Sequence, residues 1–374
     1  MDKSAQFLIR RPLTFLVRSL QMSIIPNNVD LAIPQSIKSD QIFFNNKILR
    51  RKRIVLLAPA CIAATCTMCP LPNEALDIEK RPITPRDLIK QFENSFKNDS
   101  IDNYDIITIY NNGNFFADYE IPPQVRQYIY HKLGKSKASY FIVESLPQFI
   151  TKDKLSETRK LMGEKQLVVT IGLQSANDIV RELAVNTSCS KKVFEEAIIL
   201  LRHYNYLPLA YLMVKPPFLT EKEAVEDTVE SIGYLSSLGI NEPILCATKV
   251  SPNTVAYLMY TDGIYHPPWL WTVLEILKES IIRYSKSKPR VNTSEIIKEK
   301  NKGSLCTQNC DKCNDKVIEM IEKYNLSQNT GVLHNIKCDC RKLYQKFLQE
   351  EEEKYSALLI TDRIADFLKN HKIS

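Results

Sequence analysis

Residues 53–75 read RIVLLAPACIAATCTMCPLPNEA, an apolar run that leads into three cysteines. Cys66 and Cys69 have CxxC spacing, and Cys61 lies five residues before Cys66. Three thiolates can ligate three irons of a [4Fe-4S] cluster and leave the fourth iron open to a further ligand. The stretch therefore favours a reactive iron-sulfur centre at the end of a strand.

Spacing alone leaves three other interpretations of the triad open. A CxxC pair also occurs as half of a zinc site or as a thioredoxin-like redox pair. A zinc site would need a fourth ligand, but His131 and Cys189 are far away in sequence, and a redox pair would not need Cys61. Three buried core cysteines are the remaining interpretation, because a free cysteine packs as a small apolar residue.

The composition is that of a globular enzyme. The chain has 374 residues, 44% of them hydrophobic and 25% charged, a length that suggests about two domains. Its ten cysteines are mostly clustered, which indicates metal ligands in a reducing cytoplasm rather than disulfides. No stretch approaches the roughly 20 apolar residues of a membrane span. Residues 7–25 are apolar but interrupted by Arg10, Arg11 and Arg18, so we expect a helix packed on the body rather than a cleaved signal peptide.

The net charge is +7, and its densest concentration is a run immediately before the cysteine strand. This run consists of Arg50, Arg51, Lys52 and Arg53. Such a run is either a solvated face or a contact to the phosphate backbone of a nucleic acid. The charge therefore permits an RNA substrate without requiring one.

Six apolar runs bounded by turn residues alternate with helical patterns along the chain. The predicted strands are 53–60, 105–111, 139–145, 166–173, 207–215 and 242–248. The helices carry clear start signals, such as Thr84 before one helix and a capping box of Thr220 and Glu223 before another that ends at Gly239. Apolar strands alternating with amphipathic helices predict a parallel sheet covered by helices. Six units predict an α/β fold, a partial (βα)6 barrel with its reactive face at the carboxyl ends of the strands.

Polar residues end the predicted strands at that face. They are Asn111, Asn112, Gly113, Glu144, Ser145, Gln174, Ser175 and Lys215. Any soluble barrel has polar strand ends, but here they surround the loop that carries the cysteine triad. The pattern predicts a ring of hydrogen-bond donors and acceptors that faces an iron-sulfur cluster.

Five segments carry a resemblance to known enzymes. They are IYNNGNFFADYEIP (109–122), VESLPQFIT (143–151), TIGLQSANDIVRE (170–182), AYLMVKPPFLTEKEAVED (210–227) and YHPPWLW (265–271). With the triad, they make the chain similar to radical S-adenosylmethionine (SAM) enzymes of the branch that includes the Elongator catalytic subunit. More narrowly, the chain resembles the family of the archaeosine synthase radical SAM subunit, a transfer RNA modification enzyme.

The resemblance implies a [4Fe-4S] cluster on Cys61, Cys66 and Cys69, with SAM chelating its open iron. Met68 would pack beside the adenine. Four residues separate Cys61 from Cys66, where the commonest form of the superfamily has three. Pro70 follows the triad, where archaeal members are expected to have a glycine and an aromatic residue.

The resemblance also implies contacts between SAM and the strand-end residues. Glu144 would bind the ribose hydroxyls, and Arg181 would orient the methionyl carboxylate by a charge-assisted contact. The alternative for Arg181 is an exposed residue on a helix surface. The superfamily has a glycine-rich motif that binds the SAM amino group, and its place here is taken by Asn111, Asn112 and Gly113. The usual Gly-Gly-Glu sequence of that motif is absent. The remaining implied contacts with SAM or substrate are Ser145, Gln174, Ser175 and Lys215; a solvated strand end is the alternative for the lysine.

The implied reaction begins with cleavage of SAM by the reduced cluster and gives a 5′-deoxyadenosyl radical that abstracts hydrogen from the substrate. In the resembling family the substrate is a lysine adduct on a 7-deazaguanine base of tRNA. A separate lysine-transferring subunit and an electron donor such as ferredoxin or flavodoxin would be the partners. The alternatives are a radical SAM enzyme for a small metabolite or peptide, and a non-enzymatic metal-binding module.

The last third of the chain holds a second set of cysteines. Cys310 and Cys313 lie in one close pair, and Cys338 and Cys340 lie in another, with a helical pattern between them. This arrangement predicts tetrahedral Zn²⁺ on the four thiolates, with Cys306 as a spare thiol or alternative ligand. An auxiliary iron-sulfur cluster is the rival, because thiolates alone do not distinguish zinc from iron. His334 is close enough in sequence to be a further candidate.

We therefore expect three parts. They are an N-terminal basic, partly helical extension (1–52), the barrel (53–290) and a zinc-binding helical domain (291–374). Trp269 and Trp271 could stack on a nucleobase or serve as core aromatics. The acidic stretch 350–353 is expected to be solvated.

Overall fold

The computed structural model describes residues 3–297, 303–333 and 336–373, so His334 lies outside the described residues. At its centre is an eight-stranded sheet in which strands that follow one another in the chain are neighbours. The strands are β1 Ser36–Phe44, β2 Lys47–Val55, β3 Ile106–Tyr110, β4 Tyr140–Glu144, β5 Gln166–Gln174, β6 Leu207–Val214, β7 Ile244–Ala247 and β8 Arg290–Val291. The helices are α1 Lys3–Leu20, α2 Pro85–Asn94, α3 Pro123–Gly134, α4 Lys152–Met162, α5 Lys191–His203, α6 Glu221–Ser237, α7 Val255–Thr261, α8 Leu270–Arg283, α9 Thr293–Ile296, α10 Asn314–Ser327, α11 Cys340–Tyr355 and α12 Ile360–Asn370.

The predicted partial α/β barrel is confirmed. Strands β2 to β8 run parallel to one another, and only β1 runs antiparallel to its neighbour β2. The six predicted strands correspond to β2 through β7. Helix α6 begins with the predicted capping box, in which the Thr220 side chain accepts from Glu223 N and the Glu223 carboxylate accepts from Thr220 N. Gly239 has a φ of +73° just after this helix, a conformation that glycine adopts without strain.

The first strand pair differs from the prediction. Asn45 and Asn46 have φ angles of 50° and 60°, and such a two-residue turn joins twisted antiparallel strands well. This hairpin was missed, and β2 begins at Lys47 rather than at residue 53. The predicted boundary between residues 52 and 53 therefore falls inside β2.

The basic run lies within β2 instead of preceding a strand. Arg51 and Arg53 pair with Asp40 of β1 at 2.8 and 3.0 Å. Lys52 pairs with Asp99 at 3.0 Å. These three side chains form ion pairs within the fold, so the interpretation of the run as a freely solvated face is wrong for them.

A second apolar core lies beside the cysteine loop, and both ends of the chain contribute to it. Leu13 and Leu16 of α1 are buried in one cluster with Ile364 and Phe367 of α12 and with Met68. The expected packing of an N-terminal helix on the body is confirmed. None of the described helices combines the length and apolar character that crossing a membrane requires.

The C-terminal region packs on the barrel through aromatic residues. Trp271 is fully buried in the main core, and the ring of Trp269 lies 5.8 Å from that of Tyr344 in α11. Both tryptophans are therefore packing residues between α8 and α11, as the core interpretation predicts.

Candidate active site

A cavity of about 670 Å³ lies at the carboxyl ends of the parallel strands and reaches into the barrel. Cys61, Cys66 and Cys69 all line it, and Met68 lies between the last two. The strands contribute further lining residues, namely Arg53, Val55, Tyr110, Glu144, Thr170, Gly172, Gln174, Tyr211, Met213, Cys246 and Ala247. The predicted triad thus meets the interior of the barrel at one site.

Two threonines anchor the cysteine loop to the segment after β5. Thr67 donates from its side chain to Ala184 O at 2.6 Å, and its backbone N–H donates to Val185 O at 3.0 Å. Thr65 donates from its side chain to Asn186 O at 2.8 Å, and Asn186 Nδ2 returns a hydrogen bond to Thr65 O at 2.8 Å. These contacts hold the backbone on both sides of Cys66, so the thiols are positioned by the fold itself.

Burial shapes the electrostatics of the triad. It raises the pKa of Cys66 to about 12 and raises the pKa of Cys69 as well. Burial also raises the pKa of Cys61, and the nearby carboxylate of Glu120 adds to that shift. Without a cation the three thiols would stay protonated, whereas bound iron favours the thiolate form. The donor set therefore fits a cationic iron-sulfur cluster.

Glu120 is a buried carboxylate that the sequence did not reveal. It accepts hydrogen bonds from the backbone N–H of Ile62 at 3.0 Å, from Asn111 Nδ2 at 3.0 Å and from Asn114 Nδ2 at 2.8 Å. The backbone N–H of Asn114 also donates to it. Because Ile62 follows Cys61 directly, Glu120 ties the cysteine loop to the segment that follows β3.

The predicted Asn111, Asn112 and Gly113 lie in that same segment. Asn112 and Gly113 line the cavity, while Asn111 is turned toward Glu120. A Cβ atom at Gly113 would lie 3.1 Å from Cys61 Cα and would clash with the Glu120 carboxylate. Only glycine fits at this close approach of two loops.

Several polar atoms around the cavity lack a hydrogen-bond partner within the part of the chain that the structure describes. Three of them belong to lining residues: Arg53 Nε, Ser145 Oγ and Gln174 Oε1. Asn111 Oδ1 is also buried and unpaired. Buried polar atoms are normally satisfied, so the three atoms of the lining residues mark positions that a polar ligand in the cavity would complete.

Glu144 ends β4 inside the cavity. Burial raises its pKa to about 8, and a hydrogen bond with Tyr211 opposes the shift. Burial raises the pKa of Tyr211 and of its hydrogen-bonding neighbour Tyr110 as well. Glu144, Tyr211 and Tyr110 therefore form a hydrogen-bonded chain across the barrel interior. The apolar pattern of the strands did not predict this chain.

Arg181 does not line the cavity and is only 1% exposed. It lies in a π-helical turn, Val180–Ala184. Its guanidinium donates to Cys189 O at 3.0 Å and to Ser175 O at 3.3 Å, and it pairs with Asp178 and Glu182 at 2.5 and 2.8 Å. The exposed alternative is therefore wrong, and the structure brings Arg181 to two carboxylates rather than to the cavity lining.

Lys215 and Ser175 also lie outside the cavity lining. Lys215 is buried and pairs with Glu221 at 2.8 Å and with Glu351 at 3.2 Å. The solvated alternative for Lys215 is therefore wrong, and the structure brings this lysine to two carboxylates rather than to the cavity lining. Ser175 donates to Asp227 at 2.6 Å. Glu351 belongs to the acidic stretch expected to be solvated, so that expectation is also wrong for this residue.

Four cysteines of the C-terminal region form a second cluster. The Sγ atoms of Cys310 and Cys313 lie 3.7 Å apart, those of Cys310 and Cys338 lie 3.5 Å apart, and those of Cys313 and Cys340 lie 3.6 Å apart. All four ligand atoms lie within 4.8 Å of one another, and Cys306 is not among them. In a tetrahedral site with zinc-sulfur bonds of about 2.3 Å, sulfurs lie ~3.8 Å apart. The geometry thus fits one metal ion.

Comparison with known proteins finds curated relatives, although no family model matches. The chain is 32% identical over 326 residues to the uncharacterized protein MJ0550 of Methanocaldococcus jannaschii, covering 84% of this chain and 86% of that protein. It is 25% identical to archaeosine synthase subunit beta of Methanosarcina acetivorans, over 80% of this chain and 84% of the relative. The protein of the same name from Thermococcus kodakarensis is 24% identical, over 77% of this chain and 87% of the relative.

Comparison with solved structures gives two further alignments. Spore photoproduct lyase bound to a dinucleoside spore photoproduct aligns with a TM-score of 0.41 and 10% identity, over 81% of this chain and 84% of that chain. The radical SAM methyltransferase TsrM from Kitasatospora setae aligns with a TM-score of 0.40 and 13% identity, over 54% of this chain and 38% of that chain.

The partial barrel, the cysteine triad at its carboxyl edge and the curated relatives define the class of protein as a radical SAM enzyme. Within that class, the chain belongs to the same family as MJ0550.

Proposed function

We propose that this radical SAM enzyme holds a [4Fe-4S] cluster on Cys61, Cys66 and Cys69 and modifies transfer RNA. The substrate would be a lysine adduct of a 7-deazaguanine base, as in archaeosine formation. The observation that carries the proposal is that all three thiols line one cavity inside the barrel. Relatives named archaeosine synthase subunit beta support the choice of substrate.

The residues around the cavity would bind and orient SAM. Met68 would contact the adenine, and Glu144 would accept hydrogen bonds from the ribose hydroxyls. Ser145 Oγ and Gln174 Oε1, both buried and unpaired in the described chain, would be completed by polar groups of SAM. Asn112 and Gly113 would face its methionyl end from the segment after β3. When bound, the reduced cluster and SAM supply a 5′-deoxyadenosyl radical that abstracts hydrogen from the substrate.

The same cavity offers charges for the substrate. Lys38, Arg53 and Lys249 line it, as do Glu144 and Glu295. We assign the cations to the carboxylate of the lysine moiety or to a nearby phosphate, since a charge-assisted hydrogen bond is stronger than a neutral one. Side chains such as Leu146 and Val185 form apolar parts of the wall and would exclude water from a reactive radical.

Partners follow from the same proposal. The relatives are named as beta subunits, which supports a partner subunit that attaches the lysine before the radical step. An electron donor such as ferredoxin or flavodoxin would reduce the cluster. The tRNA itself would enter from the carboxyl edge of the barrel, where the cavity opens.

We further propose that Cys310, Cys313, Cys338 and Cys340 hold a structural Zn²⁺ ion. Their Sγ separations of 3.5 to 3.7 Å favour a single ion over an auxiliary [4Fe-4S] cluster, in which each cysteine binds a different iron. The ion would join the start of α10 to the start of α11 and so fix the C-terminal region.

The test of the main proposal is an anaerobic assay. The protein is reconstituted with iron and sulfide, reduced with dithionite and incubated with SAM and tRNA that carries the lysine adduct. We expect 5′-deoxyadenosine to form in step with loss of the adduct, and we expect a Cys66→Ala variant to form none. Deoxyadenosine that forms at the same rate without the adduct would redirect the search to a small metabolite or peptide. An intact cluster with no SAM cleavage would contradict the proposal.

A further inference from the structure

An exposed apolar and basic surface lies on α1 and on the segment that follows it. Its apolar members share exposed fractions between 61 and 73%: Phe7, Leu8, Phe15, Met22 and Ile24. Arg11 and Arg18 are also exposed. Leu8, Arg11, Phe15 and Arg18 follow one another at intervals of three and four residues, so they share one helix face. We call this set, from Phe7 to Ile24, the α1 surface.

The opposite face of α1 fixes the helix on the protein. Leu13, Leu16 and Val17 are buried in the second apolar core, and Arg10 donates to Thr187 O at 2.6 Å. Because α1 is already packed through this face, its outward apolar side chains remain exposed in the folded chain. Exposed apolar groups of this size in one patch mark interaction sites.

The α1 surface borders the cysteine loop directly. Gln21 Nε2 donates to Ala64 O at 2.8 Å, and Arg18 Nη2 donates to Ala63 O at 3.4 Å. Ile62, next to Cys61, adds an exposed apolar side chain of its own. Ala63 and Ala64 also line the cavity, so this short loop separates the α1 surface from the space assigned to SAM.

The charge of the surface indicates the chemistry of its partner. Arg11 and Arg18 are exposed on this surface, and residues 7–24 contain no Asp or Glu. An apolar patch with basic residues around it matches the apolar core and charged rim of a protein interface. Contacts to nucleic acid are dominated by phosphate and sugar, which exposed Phe and Leu side chains serve poorly. The surface therefore suits an acidic protein better than RNA.

We infer that the α1 surface docks a small acidic electron-transfer protein that reduces the cluster through the cysteine loop. This inference rests on the proposed function, which places a cluster on the triad. In each encounter the donor would lose one electron and the oxidised cluster would gain it, and no atom would be transferred. The donor would approach from outside the barrel, because the cavity side of the loop is assigned to SAM and substrate.

The test compares two reductants on one variant. Leu8→Asp combined with Phe15→Asp places negative charge on the α1 surface, and Ile199→Asp on α5 is the matched control, since Ile199 is 68% exposed. We expect dithionite-driven deoxyadenosine formation to be unchanged in both variants. With a reduced acidic ferredoxin, we expect the rate of the double variant to fall about tenfold, because apolar anchors and charge pairing dominate such interfaces. The control should keep the wild-type rate.

An equal ferredoxin-driven rate in the double variant and the wild type would overturn the inference. So would a variant that keeps this rate but loses affinity for tRNA or for anionic lipid vesicles, since the surface would then have another partner. Titration of ferredoxin into the protein measures docking independently of SAM chemistry. Loss of ferredoxin binding in the double variant would support docking even if dithionite produced no deoxyadenosine. Absence of deoxyadenosine would count only against the proposed function.

Discussion

Asn114 donates a hydrogen bond from Nδ2 to the Sγ atom of Cys61 over 3.3 Å. Its other Nδ2 hydrogen points to Glu120 at 2.8 Å, and Glu120 in turn accepts the backbone N–H of Ile62. The segment after β3 thus contacts the first cysteine through its sulfur and through the peptide that follows it. This arrangement couples the position of Cys61 to residues far from the CxxC pair.

Removal of the Asn114 side chain should change the reduction potential of the cluster. A hydrogen bond to a ligating sulfur stabilises the reduced state, so Asn114→Ala should shift the potential to more negative values by tens of millivolts. A redox titration followed by electron paramagnetic resonance measures this shift. Asn112→Gly is the control, because Asn112 contacts Gln35 and Glu74 instead of a cysteine. Equal shifts in both variants would contradict a specific role for Asn114.

Replacement of Glu120 should weaken the cysteine loop. Glu120→Ala leaves the N–H groups of Ile62 and Asn114 unpaired in a buried site, at a cost of about 3 kcal/mol in the free energy of unfolding. Iron and sulfide content after reconstitution should fall well below that of the wild type. Glu120→Gln keeps one acceptor oxygen, so its iron and sulfide content should lie between those of the wild type and the alanine variant. Full iron content in the alanine variant would show that the loop does not depend on this carboxylate.

Lys215 should matter for stability rather than for SAM binding. Removal of one partner of a buried ion pair costs roughly 3–5 kcal/mol, so Lys215→Met should lower the free energy of unfolding by about that amount in a urea titration. Lys222→Met is the matched control, because its pair with Glu352 has the same 2.8 Å separation but is largely exposed. It should behave as the wild type. A selective rise in the KM for SAM, with unchanged stability of Lys215→Met, would instead restore a role at the cofactor.

The C-terminal cysteines should bind one zinc ion per chain. Metal analysis of the purified protein should find one equivalent of zinc, and X-ray absorption should give zinc-sulfur distances of about 2.3 Å. Cys313→Ser should lose the metal and destabilise the C-terminal helices, whereas Cys306→Ser should retain it. Iron with bridging sulfide in a protein that lacks the first triad would show that this site holds an auxiliary cluster.

The carboxyl of Glu144, at the cavity end of β4, should make stability depend on pH. Its pKa is raised from 4.5 to about 8, so the protonated form stabilises the fold. This contribution is complete below pH 4.5 and is lost as the pH rises through 8. In protein without cofactors, the free energy of unfolding should decline from pH 5 to pH 8, and Glu144→Gln should flatten part of that slope. Parallel profiles for the two proteins would contradict the assignment.

Local patterns in the sequence account for most of the fold. Apolar runs predicted β2 to β7, and the Thr220 and Glu223 capping box marked the start of α6, because each signal lies within a few neighbouring residues. The cysteine triad and the close pairs of the second cluster were visible for the same reason. The two-asparagine turn that joins β1 to β2 was also a local signal. The hairpin was missed because the basic residues of β2 interrupt the alternation of apolar and polar residues expected of a strand.

Contacts between distant residues explain what the sequence could not predict. Lys215 is buried between Glu221, six residues later, and Glu351, 136 residues later. Glu120 is an acid in a loop with no motif, and its role depends on Ile62, 58 residues earlier. Arg181 lies in a π-helical turn, and three of its partners lie outside that turn: Ser175 and Asp178 before it and Cys189 after it.

A cluster on the triad is tested most directly by electron paramagnetic resonance of the reduced protein before and after addition of SAM. We predict a [4Fe-4S] signal in the wild type that changes when SAM is added, and no such signal in a Cys61→Ala, Cys66→Ala, Cys69→Ala variant. We predict an unchanged signal in a Cys338→Ser variant. An iron-sulfur signal that survives loss of the triad and disappears with Cys338 would contradict a cluster on Cys61, Cys66 and Cys69.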